Sequence, residues 1–147
     1  MSSGRPVVVV TGISGNLGRM VTKLLHKEAH VVGIDRRPFV GRPKDVDHFP
    51  IDLRKKKTDD VFRRYPVKAV IHMGIMHDPR LSQEDHHSFN ILGTTRVLDC
   101  AAKYAVKKVR QNLDNLLLQV RGWNPRQTDE GGFSPLPNTG NHSFNYS

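Results

Sequence analysis

The sequence predicts an α/β protein built on a doubly wound parallel sheet. Three observations carry that prediction. An all-valine run, Val7 to Val10, ends abruptly in glycines; strand-like apolar runs alternate with amphipathic stretches; and a second run, HVVGID at 30 to 35, closes on an acid. A strand covered on both faces reads as a continuous β-branched run. Strands that alternate with helices are joined by right-handed crossovers in a parallel sheet.

The elements follow in order. Gly12 and Gly15 break the first strand. Leu17, Val21, Leu24 and Leu25 then recur at i, i+4, i+7 and i+8, which predicts a helix burying that face. His30 to Asp35 reads as the second strand, Arg36 to Lys44 as a loop punctuated by Pro38, Gly41 and Pro43, and Asp47 to Leu53 as a short third strand. Thr58 is placed to cap a short helix through Tyr65, with Asp59 and Asp60 in its first turn. Ala69 to Met73 (AVIHM) reads as the fourth strand. Ser82 and Asp85 have capping-box spacing, with Asp in place of the usual Glu. The helix they open carries Phe89, Leu92, Gly93, Val97, Ala101 and Tyr104 along one stripe. The expected strand order is 3-2-1-4, truncated after about four strands with the fifth damaged or missing. Residues 1–110 make one domain. The remainder, 111–147, is atypical: QNLDNLLLQVRGW allows a helical turn or two, and the Pro, Gly, Asn, Ser and Thr content from Gly122 onward predicts a mostly disordered tail.

Bulk properties narrow the classes. A chain of 147 residues is long enough for one buried core. The net charge is +9, and because residues 111–147 carry a net −1, residues 1–110 carry +10. Such a balance attracts polyanions without choosing among nucleotides, nucleic acid and acidic lipid. The single cysteine, Cys100, rules out an internal disulfide framework and fits a reducing compartment. No apolar run approaches the roughly 20 residues needed to span a bilayer, and VVVV is too short for a signal-peptide core. These features predict a cytoplasmic protein that does not enter membranes.

Gly12, Gly15 and Gly18 form G-x-x-G-x-x-G between a strand and a helix. A turn of this kind lets the backbone approach a pyrophosphate, lets the helix pack close to the strand, and presents the free N–H groups of the helix start to phosphate. Asp35 lies about 20 residues further on, where a carboxylate accepts hydrogen bonds from an adenosine ribose. Strand, loop, helix and acid together point to a dinucleotide.

These residues also resemble a known family. TGISGNLG at 11–18 is similar to the TGxxGxxG fingerprint of the extended short-chain dehydrogenase/reductases, which include the NAD-dependent nucleotide-sugar epimerases and dehydratases. The resemblance continues through GIDRRP at 33–38, IDLRKK at 51–56 and AVIHMG at 69–74, and closes with NILGTTRVLDCAAKYAVKKV at 90–109. It implies a Rossmann-type fold and a cofactor-binding set comprising Gly12, Ser14, Gly15, Asn16, Leu17, Gly18, Asp35, Arg36, Asp52, Leu53, Met73, Gly74, Ile75 and Asn90. By resemblance, Asp52 and Leu53 lie against the adenine. Met73, Gly74 and Ile75 line the middle of the cofactor, where the family usually has a small Ala-Ala pair, and Asn90 matches a helix asparagine near the family's active site. Asp35 favours NAD, since its charge repels a 2′-phosphate. Arg36 and Arg37 suit such a phosphate, so NADP stays open. The substrate implied by the family is a nucleotide sugar.

The family's chemistry uses a Tyr–Lys pair and a Ser or Thr that polarises the substrate oxygen. Tyr104 and Lys108 have the Y-x-x-x-K spacing, but they precede the fifth strand rather than follow it, and Tyr104 continues the apolar stripe. A packing role explains it. Past Val109 there is no VYxSS-like strand and no later pair, so no catalytic residue is assigned and the domain is expected to be catalytically incomplete.

Weaker signals fit blander accounts. His72, His77, Asp78, His86 and His87 match no standard ligand spacing, so no metal is expected. The basic run Arg54 to Lys57, with Arg63, Arg64, Lys107, Lys108 and Arg110, supports an alternative reading as a non-catalytic module for nucleic acid or an acidic partner. No aromatics interleave with it, which favours a solvated face. The glycosylation-like triplets at 141 and 145 mean little without a secretory signal, and Cys100 is assigned to packing.

Overall fold

The structure, a computed structural model, describes residues 4–111. The tail expectations, including the helical turns from Asn112 onward, lie outside the described residues. Five strands and four helices alternate: β1 (Val7–Thr11), α1 (Asn16–Leu25), β2 (His30–Ile34), β3 (Asp47–Phe49), α2 (Lys57–Arg64), β4 (Val67–His72), α3 (Gln83–His87), α4 (Gly93–Lys103) and β5 (Lys108–Gln111), with a π-helical turn, Ser88–Leu92, fused between α3 and α4. All pairings are parallel and the order is β3-β2-β1-β4-β5. The expected 3-2-1-4 core is present. The fifth strand, expected to be damaged or missing, is there as four residues that pair with Ala69 to His72. Its Lys- and Arg-rich sequence lacks the apolar run that marks a buried strand.

The valine run shows why the sheet has two cores. Side chains alternate across a strand, so Val7 and Val9 join Val32, Ile34 and Val70 on the face covered by Val61 and Phe62 of α2 and Val97 and Cys100 of α4. Val8 and Val10 join Val31, Ile13, Ala29, Phe39 and Val46 on the other face. Val9, Val10, Val31 and Val32 are fully buried, and burial of each such side chain stabilises the fold by about 1.5–3 kcal/mol.

Three sequence expectations change. The face of α1 predicted from Leu17, Val21, Leu24 and Leu25 packs only in part: Leu25 rests on the second core, but the buried positions are Gly18 and Thr22, and Leu17 and Leu24, like Met20, are exposed. Close contact between Gly18 and the Gly12–Ile13 backbone sets the rotation of the helix. Leu92 leaves the predicted stripe and is exposed, because the wider π turn shifts the phase between Phe89 and Val97. Thr58 is not a cap. It lies inside α2 and its hydroxyl donates to the Leu53 carbonyl at 3.1 Å. The Ser82 cap is formed as predicted, accepting from the Asp85 N–H at 3.0 Å.

Candidate functional site

The site forms where β1, β2 and β4 end. Gly12 turns the chain out of β1 with φ +66, a left-handed conformation in which a side chain would also strike the Met73–Gly74 backbone. Its N–H donates to the Ile34 carbonyl at 2.9 Å, and the Gly15 N–H donates back to the Gly12 carbonyl at 3.1 Å. Gly15 then caps α1 without any side-chain hydrogen bond. The Arg19 N–H is the first to find a helical acceptor, the Gly15 carbonyl at 2.9 Å. The N–H groups of Asn16, Leu17 and Gly18 therefore have no acceptor among the described residues, and no acid occupies the first turn. Unpaired donors at a helix start carry partial positive charge and suit an anion. They open onto a cleft of about 480 Å³.

Asp35 closes β2 on the opposite side of the loop, with its side chain only 5% exposed. Its Oδ2 accepts from the Ser14 N–H at 3.1 Å and from Arg37 Nη2 at 3.0 Å. Its Oδ1 accepts from the Arg37 N–H at 2.9 Å and Arg37 Nε at 3.1 Å. The hydrogen bond to Asp35 raises the Arg37 pKa further. The same Asp-x-Arg fork recurs after β3, from Arg54 to Asp52, and after β4, from Arg80 to Asp78. Arg54 holds the Asp52 carboxyl below its usual range, and Arg80 holds Asp78 down to about 2.

The β4 wall is fixed by a buried polar chain. Thr11 Oγ1 accepts from the Met73 and Gly74 N–H groups, each at 3.1 Å. Its own hydrogen is thus directed to His72 Nδ1 at 2.6 Å, leaving Nε2–H of His72 to donate to Thr94 Oγ1 at 2.8 Å. Burial pushes His72 down to about 4, so the ring is neutral. Beyond it, the Asn90 amide grips one residue twice, accepting from the Met76 N–H at 2.7 Å and donating to the Met76 carbonyl at 3.1 Å. Phe89, on the same π turn, is flanked by the Arg36 and Arg54 guanidiniums at 5.6 and 5.7 Å from its ring.

Gly12, Gly15, Asn16, Leu17, Gly18, Asp35, Arg36, Leu53, Met73, Gly74 and Ile75 all line the cleft. The other three expected residues stand behind it. Ser14 holds Asp35 and Arg37, its hydroxyl donating to the Arg37 carbonyl at 2.9 Å; Asp52 is taken up by Arg54; Asn90 holds Met76. Reading the sequence misses Arg37 as a lid on Asp35, along with the cleft positions of Met76, His77, Asp78 and Phe89. The threefold D-x-R spacing after successive strands is the signal that points to the forks.

Tyr104 lies at the far end of α4, where its hydroxyl donates to Asp59 Oδ2 at 2.8 Å and its ring stacks on Phe62. Lys108 is exposed at the start of β5. Neither lines the glycine-loop cleft. Of the histidines, His72 serves the polar chain, and His86 Nε2 bonds the Asp78 carbonyl at 2.6 Å. Arg54 of the basic run is committed to Asp52 and Ser88, and Arg63 to Asp60. No helix of the described residues is long and apolar enough to cross a membrane.

In sequence, residues 8–112 match the NAD dependent epimerase/dehydratase family. No curated protein matches the chain. In structure it is similar to WbmH of Bordetella bronchiseptica, solved with NAD+, at 20% identity and TM-score 0.65, over 71% of this chain and 38% of that one. A UDP-glucose 4-epimerase aligns at 23% identity and TM-score 0.66, over 71% and 34%. A short-chain dehydrogenase/reductase superfamily protein of Agrobacterium tumefaciens, solved with bound NAD, aligns at 28% identity and TM-score 0.62, over 71% and 31%. The chain spans between 31% and 38% of the length of these proteins.

Proposed function

The chain belongs to the NAD dependent epimerase/dehydratase family, and from that premise we propose that residues 1–110 are a dinucleotide-binding domain that holds NAD in the glycine-loop cleft. The observation that carries the reading is the convergence on one cleft of three unpaired helix N–H groups and the carboxylate of Asp35. The pyrophosphate fits the N–H groups of Asn16, Leu17 and Gly18. Asp35 is the acceptor for the adenosine ribose. Leu53 supplies an apolar wall for the adenine, with Asp52 behind it, and Met73, Gly74 and Ile75 flank the middle of the cofactor. When bound, NAD supplies a nicotinamide ring that takes and returns a hydride.

The chain's own contribution is to bind, orient and exclude water. Asn90 acts at one remove, by fixing Met76 and with it the loop that roofs the cleft. No Ser or Thr beside a Tyr–Lys pair lines the cleft among the described residues, and the roles proposed for the residues that do line it are binding and orientation. A nucleotide sugar is the substrate class for an intact site of this family, and a cytoplasmic location belongs to the same proposal.

Thermal unfolding with and without NAD tests it. A ligand that binds only the native state stabilises by RT ln(1 + [L]/Kd), about 2.7 kcal/mol at roughly 100-fold excess over Kd. The transition is expected to move up with NAD and, less, with ADP. A transition indifferent to millimolar NAD, or binding that salt abolishes and NAD does not compete for, refutes the reading.

A further inference from the structure

A second recess lies at the opposite end of the sheet from the glycine-loop cleft, where the parallel strands begin. It offers about 400 Å³ between the end of α2, the start of β4 and the turn from α4 into β5. Its floor is apolar: Val67 and Phe62 are buried, and the Phe62 and Tyr104 rings stack at 6.4 Å. Four cations line it, Arg63, Arg64, Lys68 and Lys107, and no acid does among the described residues. Arg63, Arg64 and Lys107 belong to the basic set of the sequence, and the fold brings them together with Lys68.

The four cations are not equally engaged. Arg63 is bonded to Asp60 at 2.6 Å. Arg64 lies over the Phe49 ring at 5.6 Å and interacts with Tyr65. The two lining tyrosines donate their hydroxyls to Asp47 and Asp59, which also meet His30 and Lys103. Lys68 and Lys107 have no hydrogen-bond or ion-pair partner among the described residues. They stand on adjacent strands, one residue before the pair Ala69 and Lys108 that opens the β4–β5 ladder. The turn that delivers Lys107 is tight: Ala105 holds φ +52, and the Val106 N–H donates to the Ala101 carbonyl at 2.8 Å. Like charges set side by side across two strands repel. What opposes them is the negative end of α2 and of α4, which both finish here and are worth about half a charge each. Two full cations outweigh that, over an apolar floor that strengthens their field.

We propose that this recess is a second anion-binding site, separate from the dinucleotide cleft, for a small ligand of the diphosphate class. Lys68 and Lys107 are its contacts. A diphosphate sets one charged group against each ammonium and removes the repulsion between them. The inference does not depend on what the glycine loop holds.

Amide chemical-shift mapping of the full chain, titrated with inorganic pyrophosphate with and without NAD, tests the proposal. Saturable shifts are expected at residues 65–68 and 104–107, and they persist when NAD is present. The affinity falls as salt is raised. Lys68→Gln/Lys107→Gln is expected to weaken it by about tenfold or more, with the response of the cleft to NAD unchanged. Lys68→Arg/Lys107→Arg keeps both charges and is expected to retain binding. Both lysines are exposed, and a spectrum that overlays on wild type verifies that each variant folds. Shifts confined to residues 15–18 would assign the anion to the glycine loop alone and overturn the inference. Shifts that never saturate, equal affinity in wild type and the glutamine variant, or a response to a single-stranded oligonucleotide without one to pyrophosphate overturn it as well.

Discussion

Replacing His72 by Gln should remove a large share of this protein's acid sensitivity. His72 is 1% exposed, between Thr11 and Thr94, and burial lowers its pKa from 6.5 to about 4. The folded pKa lies below the unfolded one, so the unfolded chain takes up the proton more readily. The stability contributed is therefore fully present above the unfolded value of 6.5 and drains away as pH falls toward the folded value of about 4. A displacement of that size corresponds to about 3 kcal/mol. A glutamine keeps a neutral acceptor for the Thr11 hydroxyl and a donor for Thr94 but cannot titrate. Urea unfolding followed by circular dichroism, at neutral pH and at about pH 4.5, gives the loss for each protein. Carboxylates and the other histidines respond alike in both and cancel in the difference. Wild type is expected to lose about 2–3 kcal/mol more than His72→Gln across that window. Equal losses in the two proteins would mean that the ring is hydrated or already charged, and the buried polar chain would be wrongly drawn.

Three further outcomes follow from particular contacts. Cys100, 2% exposed and with its thiol pushed up to about 11 mainly by burial, should label with iodoacetamide only as fast as the chain unfolds; labelling at the rate of an unfolded control contradicts its place in the core. Thr22→Val should stabilise the fold by about 1 kcal/mol in the same urea assay, because the Thr22 hydroxyl is buried without a hydrogen-bond partner among the described residues. Asn90→Ala removes both bonds to Met76 and should destabilise by about 1–3 kcal/mol while weakening NAD binding; intact affinity would show that the Met76 loop needs no such hold.

Much of this architecture can be read locally. Val7 to Val10, the glycine loop, HVVGID and AVIHM announce themselves through residue type over a few positions, and the Ser82 cap through its spacing. What the sequence conceals depends on contacts across the fold. The leucines of α1 suggest one buried face, yet the buttress at Gly18 turns Gly18 and Thr22 inward and leaves, of those leucines, Leu25 packed on the core. The stripe from Phe89 to Tyr104 assumes an unbroken α-helical period, and the π turn at Ser88–Leu92 breaks it. In the candidate site, Gly12, Gly15, Gly18 and Asp35 are legible because their chemistry is intrinsic to a strand–turn–helix unit. Phe89 and Met76 are not, since their position depends on how a distant loop closes. Arg37 is visible as a charge, but its return onto Asp35 is a matter of geometry alone.

The four valines of β1 have a consequence for how the chain finds its alignment. Sliding this strand by one residue against β2 and β4 would set valine in the place of valine at three successive positions, with two hydrophobic faces still filled. Alternation normally penalises such a slip, because it exchanges inside for outside. Here both sides are inside, and the interior of the strand carries almost no addressing information. The alignment must be written at its end, where Thr11 lies opposite His72 within a 2.6 Å hydrogen bond and Gly12 alone can make the turn. The threonine hydroxyl therefore acts as a punctuation mark: it tells an otherwise repetitive strand where to stop.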